Sequence, residues 1–192
     1  QALSLEKTIE VAHSHGVPVM VDAAGQIYPL ELFGRFVRQG ADFQCIAAKY
    51  LGSAQSTGLA LGSEETIRKL AKQSFVGYEG RRIRGIGRPH KVDRQEMVGV
   101  VAAVRRWVNL NHEDRLATAE EQSRAIIAPL AGIPGVSAEL ITNVIGHQPF
   151  GVELHIDPAV AGMTAEDVVD RLKAGDPPIW TRVREGEDYI IM

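Results

Sequence analysis

The stretch Val17-Pro18-Val19-Met20-Val21-Asp22 restricts the fold more than any other part of the sequence. Apolar residues run from Val17 to Val21 without alternation. That pattern marks a parallel strand buried on both faces, with Asp22 at its carboxyl end. A parallel strand needs a helical crossover to reach its neighbour, and the sequence offers helices on both sides. Residues 4–15 place Leu5, Ile9 and Ala12 on one helical face, and Gly16 stands at the left-handed cap position. Pro29 opens a second helix carrying Leu30, Phe33, Phe36 and Val37, closed by Gly40, after which Ala41–Ala48 reads as a second strand. Helix, strand, helix, strand is the rhythm of an α/β fold with a mostly parallel sheet.

A third apolar strand, Leu59–Leu61, follows after a polar, glycine-containing stretch too short for a helical crossover, which predicts an antiparallel neighbour. Ser63 then starts a helix that runs to Lys72. Residues 77–91 (GYEGRRIRGIGRPHK) hold four glycines and six basic side chains, counting His90, and read as an irregular loop. Asp93 with Glu96 forms a capping box before Met97, Val100, Val101 and Val104, a helix reaching about Asn111. A further helix begins at His112. From Gly135 the order is strand, strand, helix from Thr164, strand, strand, a small α+β layer of its own. The expected division is 1–111, the later part of a large α/β domain, and 112–192, a small α+β domain.

Composition closes off several classes. With 45% hydrophobic and 23% charged residues and a net charge of -3, the chain is of ordinary globular type. No window reaches the roughly 18 consecutive apolar residues of a membrane helix. One cysteine, Cys45, builds neither a disulfide framework nor a cysteine zinc site, so a reducing cytoplasm is the expected compartment. In its apolar strand Cys45 reads as a core residue. The first residue is Gln1, and DYIIM ends the chain in the middle of a strand pattern. The sequence is therefore expected to be a piece of a longer protein, lacking mostly an N-terminal part.

Asp22 and Lys49 lie 27 residues apart, each at the end of a predicted strand. In an open α/β sheet, ligands bind outside the carboxyl ends of the strands, so both side chains should project into one crevice. An amine and a carboxylate placed there suit pyridoxal phosphate: the amine holds the cofactor aldehyde as a Schiff base and the carboxylate pairs with the pyridine nitrogen. The same spacing suits a buried Asp–Lys ion pair or two solvated strand ends. Spacing alone leaves all three open.

Three ordered motifs, VPVMVDAAGQIYP, GADFQCIAAKYLGSAQSTGLALG and IGRPHKVDRQEMVGVVAAVRRW, resemble consecutive segments of fold-type I pyridoxal-phosphate enzymes. The similarity is to the selenocysteine synthase (L-seryl-tRNA selenium transferase)-like family, which also contains D-glucosaminate-6-phosphate ammonia-lyase-type enzymes. It extends to DPPIWTRVREGEDYIIM. The resemblance implies that Asp22 is the pyridine-nitrogen partner, and that Lys49 is the Schiff-base lysine and the acid/base at the substrate α-carbon. It implies that Gln55, Ser56 and Thr57 bind the cofactor phosphate of a neighbouring subunit in a homodimer or higher homo-oligomer; a plain polar turn is the alternative. It places Arg88 and Arg182 against a small anionic amino substrate; an arginine on the solvent face of a strand is the alternative for Arg182. Ala47 and Ala48 depart from the small polar or glycine residues expected before the lysine. The glycine-rich phosphate cradle and the ring-stacking side chain of the family have no counterpart here, so the site of these 192 residues alone is expected to hold the cofactor poorly.

The expected activity is a pyridoxal-phosphate lyase or β-eliminating enzyme acting on an anionic amino acid or amino-sugar acid. Selenium transfer onto seryl-tRNA is a second reading, and a non-catalytic homologue a third. The basic loop (Arg81, Arg82, Arg84, Arg88, Lys91) fits a phosphorylated or carboxylated small substrate, a tRNA or a solvated face; the net acidic chain favours the first over tRNA. The six histidines show no metal-ligand grouping: His13 and His15, two apart on a helix, cannot face one ion.

Overall fold

The computed structural model describes residues 3–81, 85–142, 150–183 and 189–192. Two compact units share the chain, Gln1–Leu110 and Asn111–Met192.

The first unit begins with helix α1 (Leu5–Ser14), capped by the Ser4 side chain, which accepts from the Lys7 backbone N–H at 3.2 Å. Strand β1 (Met20–Asp22), helix α2 (Arg35–Arg38), strand β2 (Phe43–Ala47), strand β3 (Gly58–Gly62), and helices α3 (Glu64–Gln73), α4 (Phe75–Arg81) and α5 (Arg94–Val108) follow. The sheet order is β1-β2-β3, with β1 parallel and β3 antiparallel to β2. The short third connection thus produces the reversal that its length predicts.

Side chains divide by face. Ile46 is buried against Ile27, Leu51, Ala103 and Trp107, so α5 covers that side of the sheet. Ile9 of α1 packs with Val19 and Ala41 beside it. The opposite face is open: Met20 is 57% exposed, and Asp22 and Ala60 are exposed too. The unalternated run before Asp22 is therefore buried on one side here, because no described element lies over the other. Cys45 shares that second face and is half-buried among the described residues.

Two further expectations change. Gly34, at φ 73, breaks the helix expected after Pro29 into a 3-10 turn (Leu30–Leu32) and the single turn α2. Gln44 explains why the break is tolerated. Fully buried, it accepts from the Phe36 N–H at 3.1 Å and donates to the Leu32 carbonyl at 3.1 Å, satisfying backbone groups on both sides of the interruption. The loop expected over 77–91 begins as helix α4.

Asp42 ties α1 to the sheet. One carboxylate oxygen, Oδ2, meets His13 Nε2 at 2.9 Å and accepts from the Val19 N–H at 2.7 Å. The His13 hydrogen bond first, and the Val19 N–H second, hold its pKa below the ordinary carboxylate range. A depressed carboxylate adds stability that is fully present above its unfolded pKa, near 4, and is lost as pH falls through the lower folded value. Stability measured by denaturant from pH 6 downward should thus fall less steeply below about pH 4 in Asp42→Asn than in the wild type. Parallel curves would show that the clamp carries no linkage.

The second unit contains helix α6 (His112–Ile127), strands β4 (Val136–Ile141) and β5 (Gly151–Ile156), helices α7 (Pro158–Ala161) and α8 (Ala165–Lys173), and strands β6 (Arg182–Val183) and β7 (Tyr189–Ile191). Its sheet is antiparallel in the order β4-β5-β7-β6. Leu154, Ile156 and Ile190 pack on Ala165 of α8 and on Leu130.

Candidate active site

Asp22 and Lys49 occupy the same edge of the parallel pair. Asp22 ends β1 in register with Cys45. The ladder then continues two rungs beyond the strand: Ala23 N donates to the Cys45 carbonyl at 3.1 Å, and Ala47 N to the Ala24 carbonyl at 2.9 Å. Lys49 follows on a 3-10 turn, Ala48–Leu51. Both flanks of that turn are fixed. Ala48 is fully buried and hydrogen-bonds to the Thr57 carbonyl, Leu51 is buried in the core, and Gly52 turns the chain away at φ 90. Lys49 itself is exposed.

One apolar cluster floors both positions. Ile27 comes from the loop after Asp22, and Ile46 and Leu51 bracket Lys49. Trp107 of α5 packs against them and donates its indole N–H to the Ile27 carbonyl at 3.0 Å. This anchor was not visible in the sequence, since an aromatic at a helix end carries no signal of a partner 80 residues away.

Asp22 Oδ1 accepts from the Ala24 N–H at 3.1 Å and from the Cys45 thiol at 3.5 Å. No described residue donates to Oδ2. The Lys49 ammonium lies 5.1 Å from the Tyr50 ring centroid. Among the described residues no ion pair joins Asp22 to Lys49, so the reading as a buried ion pair falls away. What remains is an amine and a carboxylate, both exposed on neighbouring strand ends and neither consumed by the other, as two solvated strand ends or a cofactor site would place them. That donor set fits a cofactor with an aldehyde to anchor and a ring nitrogen to balance.

The remaining candidates differ in availability. Ser56 Oγ donates to Glu96 Oε1 at 2.6 Å, and Glu96 Oε2 accepts from the Asp93 N–H in the capping box. Thr57 is buried, and its hydroxyl donates to the Ala54 carbonyl at 2.6 Å. Gln55 is exposed with no side-chain hydrogen bond to a described residue. Of the two residues that depart from those expected before the lysine, Ala48 is fully buried and Ala47 half-buried.

Arg88 lies against two rings, its guanidinium carbon 4.5 Å from the Tyr78 centroid and 5.4 Å from that of Phe75, with Glu79 at 3.6 Å. Lys91 is 4.9 Å from the Phe75 ring. The Gly87 N–H donates to the Gln73 carbonyl, tying this segment to the end of α3. Helix α4 thus supplies an aromatic platform, which glycines 77 and 80 concealed in the sequence. Arg82, Arg84 and the side chain of Arg81 lie outside the described residues. Arg182 belongs to the second unit, exposed on β6 opposite Ile191 of β7. Among the described residues no helix is long and apolar enough to cross a membrane, and no group of three or more His, Cys, Asp or Glu residues is placed to hold a metal ion.

A solved structure of D-glucosaminate-6-phosphate ammonia-lyase superposes on the whole chain with a TM-score of 0.74 at 23% identity, the chain covering 47% of it. The fold is part of fold type I. Curated relatives agree with this assignment. A 5'-C-glycyluridine monooxygenase-decarboxylase of Streptomyces sp is 30% identical over 95% of this chain and 42% of its own length. The D-glucosaminate-6-phosphate ammonia lyase of Salmonella typhimurium is 23% identical over 94% of this chain and 44% of its own. The L-seryl-tRNA(Sec) selenium transferase of Aquifex aeolicus is 23% identical over 97% of this chain and 44% of its own. The chain spans less than half the length of these relatives. No family model matches the sequence. Expected similarity to selenocysteine synthase-like and ammonia-lyase-type fold-type I enzymes is therefore found, together with a relative named for an oxidative decarboxylation that the motifs did not suggest.

Proposed function

We propose that the intact protein is a pyridoxal-phosphate-dependent enzyme of the lyase class acting on a small anionic amino substrate. The observation that carries this reading is the pair Asp22 and Lys49, not ion-paired to each other, one at the end of β1 and one on the turn that follows β2 in a fold-type I sheet. When bound, the cofactor supplies an electron sink for a carbanion at the substrate α-carbon. Asp22 would hold a proton on the ring nitrogen through its charge. Lys49 would anchor the aldehyde, then take and return the proton at the α-carbon. Arg88, which lies over the Tyr78 and Phe75 rings and beside Glu79, would offer N–H groups to a phosphate or carboxylate. Gln55 would be the contributor from the 55–57 loop to a neighbouring subunit's phosphate, because Ser56 and Thr57 have committed their hydroxyl hydrogens; this requires at least a homodimer.

The test is borohydride reduction of the intact protein with added pyridoxal phosphate, followed by peptide mass spectrometry. A reduced adduct on Lys49 is expected. An unmodified Lys49 in folded protein would overturn the reading. The relative at 30% identity favours a second outcome at the same site, loss of carbon dioxide with consumption of oxygen. Oxygen uptake coupled to turnover would select it over elimination. A steeply salt-dependent affinity for tRNA would instead select selenium transfer.

A further inference from the structure

Asp22 and Cys45 are register partners on parallel neighbouring strands and project from the same open face. The thiol Sγ lies 3.5 Å from Asp22 Oδ1, with the Val21 carbonyl, at 3.8 Å, as its other acceptor. Asp22 Oδ1 already receives the Ala24 N–H at 3.1 Å. Two donors on one oxygen set the rotation of the carboxylate at the end of β1 and leave Oδ2 without a described donor. From this geometry we propose that Cys45 is a positioning residue: its S–H, together with the Ala24 N–H, turns the Asp22 carboxylate so that Oδ2 is presented outward for the ligand. The inference rests on the pyridoxal-phosphate reading above, in which Oδ2 is the oxygen offered to the ring nitrogen.

The surroundings suit a donor. Ala60 stands opposite Cys45 on β3, and Ala47 is the next residue of β2 on this face, so neither side chain competes for the thiol, and of its two acceptors Asp22 Oδ1 at 3.5 Å is nearer than the Val21 carbonyl at 3.8 Å. Burial first, and Asp22 second, push the thiol pKa up, which keeps the proton on sulfur at neutral pH. A thiol is a weak donor, so its effect should be one of orientation.

Three measurements on the intact protein test this, and their failures are distinguishable from failure of the cofactor reading. In the first, the alkylation rate of the Cys45 peptide is followed against pH by mass spectrometry without cofactor; since the thiolate reacts, the profile reports the S–H. In Asp22→Asn the half-rate pH should fall towards the ordinary cysteine value. An unchanged profile would show that the contact is absent and would overturn the inference whatever the cofactor does. In the second, the apparent affinity for pyridoxal phosphate is read from visible absorbance. Cys45→Ala should weaken it about fivefold, as for one modest hydrogen bond, while Cys45→Ser, which keeps a donor, should stay within about twofold of wild type. Equal affinity in all three proteins, or equal loss in both variants, would overturn the positioning role. The third is the borohydride adduct on wild-type Lys49. If it forms while the variants behave alike, the cofactor reading stands and the inference falls; if it does not form, both fall.

Discussion

Lys49→Ala should abolish the borohydride-stable adduct in the intact protein and lower turnover by at least about 10³-fold, while leaving the unfolding midpoint of the cofactor-free protein where it is. The two halves of this expectation come from different facts. Chemically, the variant removes both the covalent anchor and the acid/base, and general acid–base catalysis alone is worth roughly 10²- to 10⁴-fold. Structurally, Lys49 is exposed, and its ammonium lies 5.1 Å from the Tyr50 ring centroid. Exposed substitutions of this kind change stability by about 0.5 kcal/mol or less. Ala48 and Leu51, which fix the turn, are untouched. Paired adduct mapping and urea unfolding check the prediction. A folded Lys49→Ala protein that still carries an adduct at another lysine and turns over at the wild-type rate would show that the amine has been placed on the wrong residue.

Trp107→Ala should do the reverse, destabilising the first unit by about 3–5 kcal/mol, the usual range for truncating a buried aromatic. The indole is buried against Ile27, Ile46 and Leu51, and its N–H satisfies the Ile27 carbonyl. Losing it opens a cavity beneath both the loop after Asp22 and the turn bearing Lys49. In urea unfolding the midpoint should drop with little change in slope, and cofactor capture at Lys49 should weaken although every candidate catalytic group is still present. Trp107→Phe keeps most of the packing and should cost far less. A loss below about 1 kcal/mol in Trp107→Ala would mean that the floor is not what supports the site.

The carboxyl-end placement of Asp22 and Lys49 was legible because unalternated apolar runs and turn residues mark strand ends directly. Antiparallel β3 was legible for a similar reason: chain length alone forbids the crossover. The single turn at α2 was not, since the apolar spacing from Leu30 to Val37 matches one continuous helix, and only Gln44, reaching from β2, reveals how the broken backbone is satisfied. Helix α4 was hidden by its glycines, whose low helix propensity reads as a loop, and the contacts of Phe75 and Tyr78 with Arg88 and Lys91 carry no sequence pattern. The contact between the Cys45 thiol and Asp22 was hidden because an apolar strand pattern does not reveal which residue stands beside it on the neighbouring strand. The hydroxyl partners of Ser56 and Thr57 lie beyond any pattern reading, as Glu96 is forty residues away.

The β2–β3 pairing joins Ala47 to Gly58 and so encloses Lys49 in a loop of about ten residues, whereas β1 and β2 meet only across a long connection. Closing short loops costs less entropy and happens faster. The topology therefore favours an order of assembly in which the amine finds its place through local sequence first and the carboxylate arrives later. Mutations that slow the β1–β2 crossover should delay the completed pair without disturbing the lysine hairpin, so the two halves of the site answer to separate steps of folding.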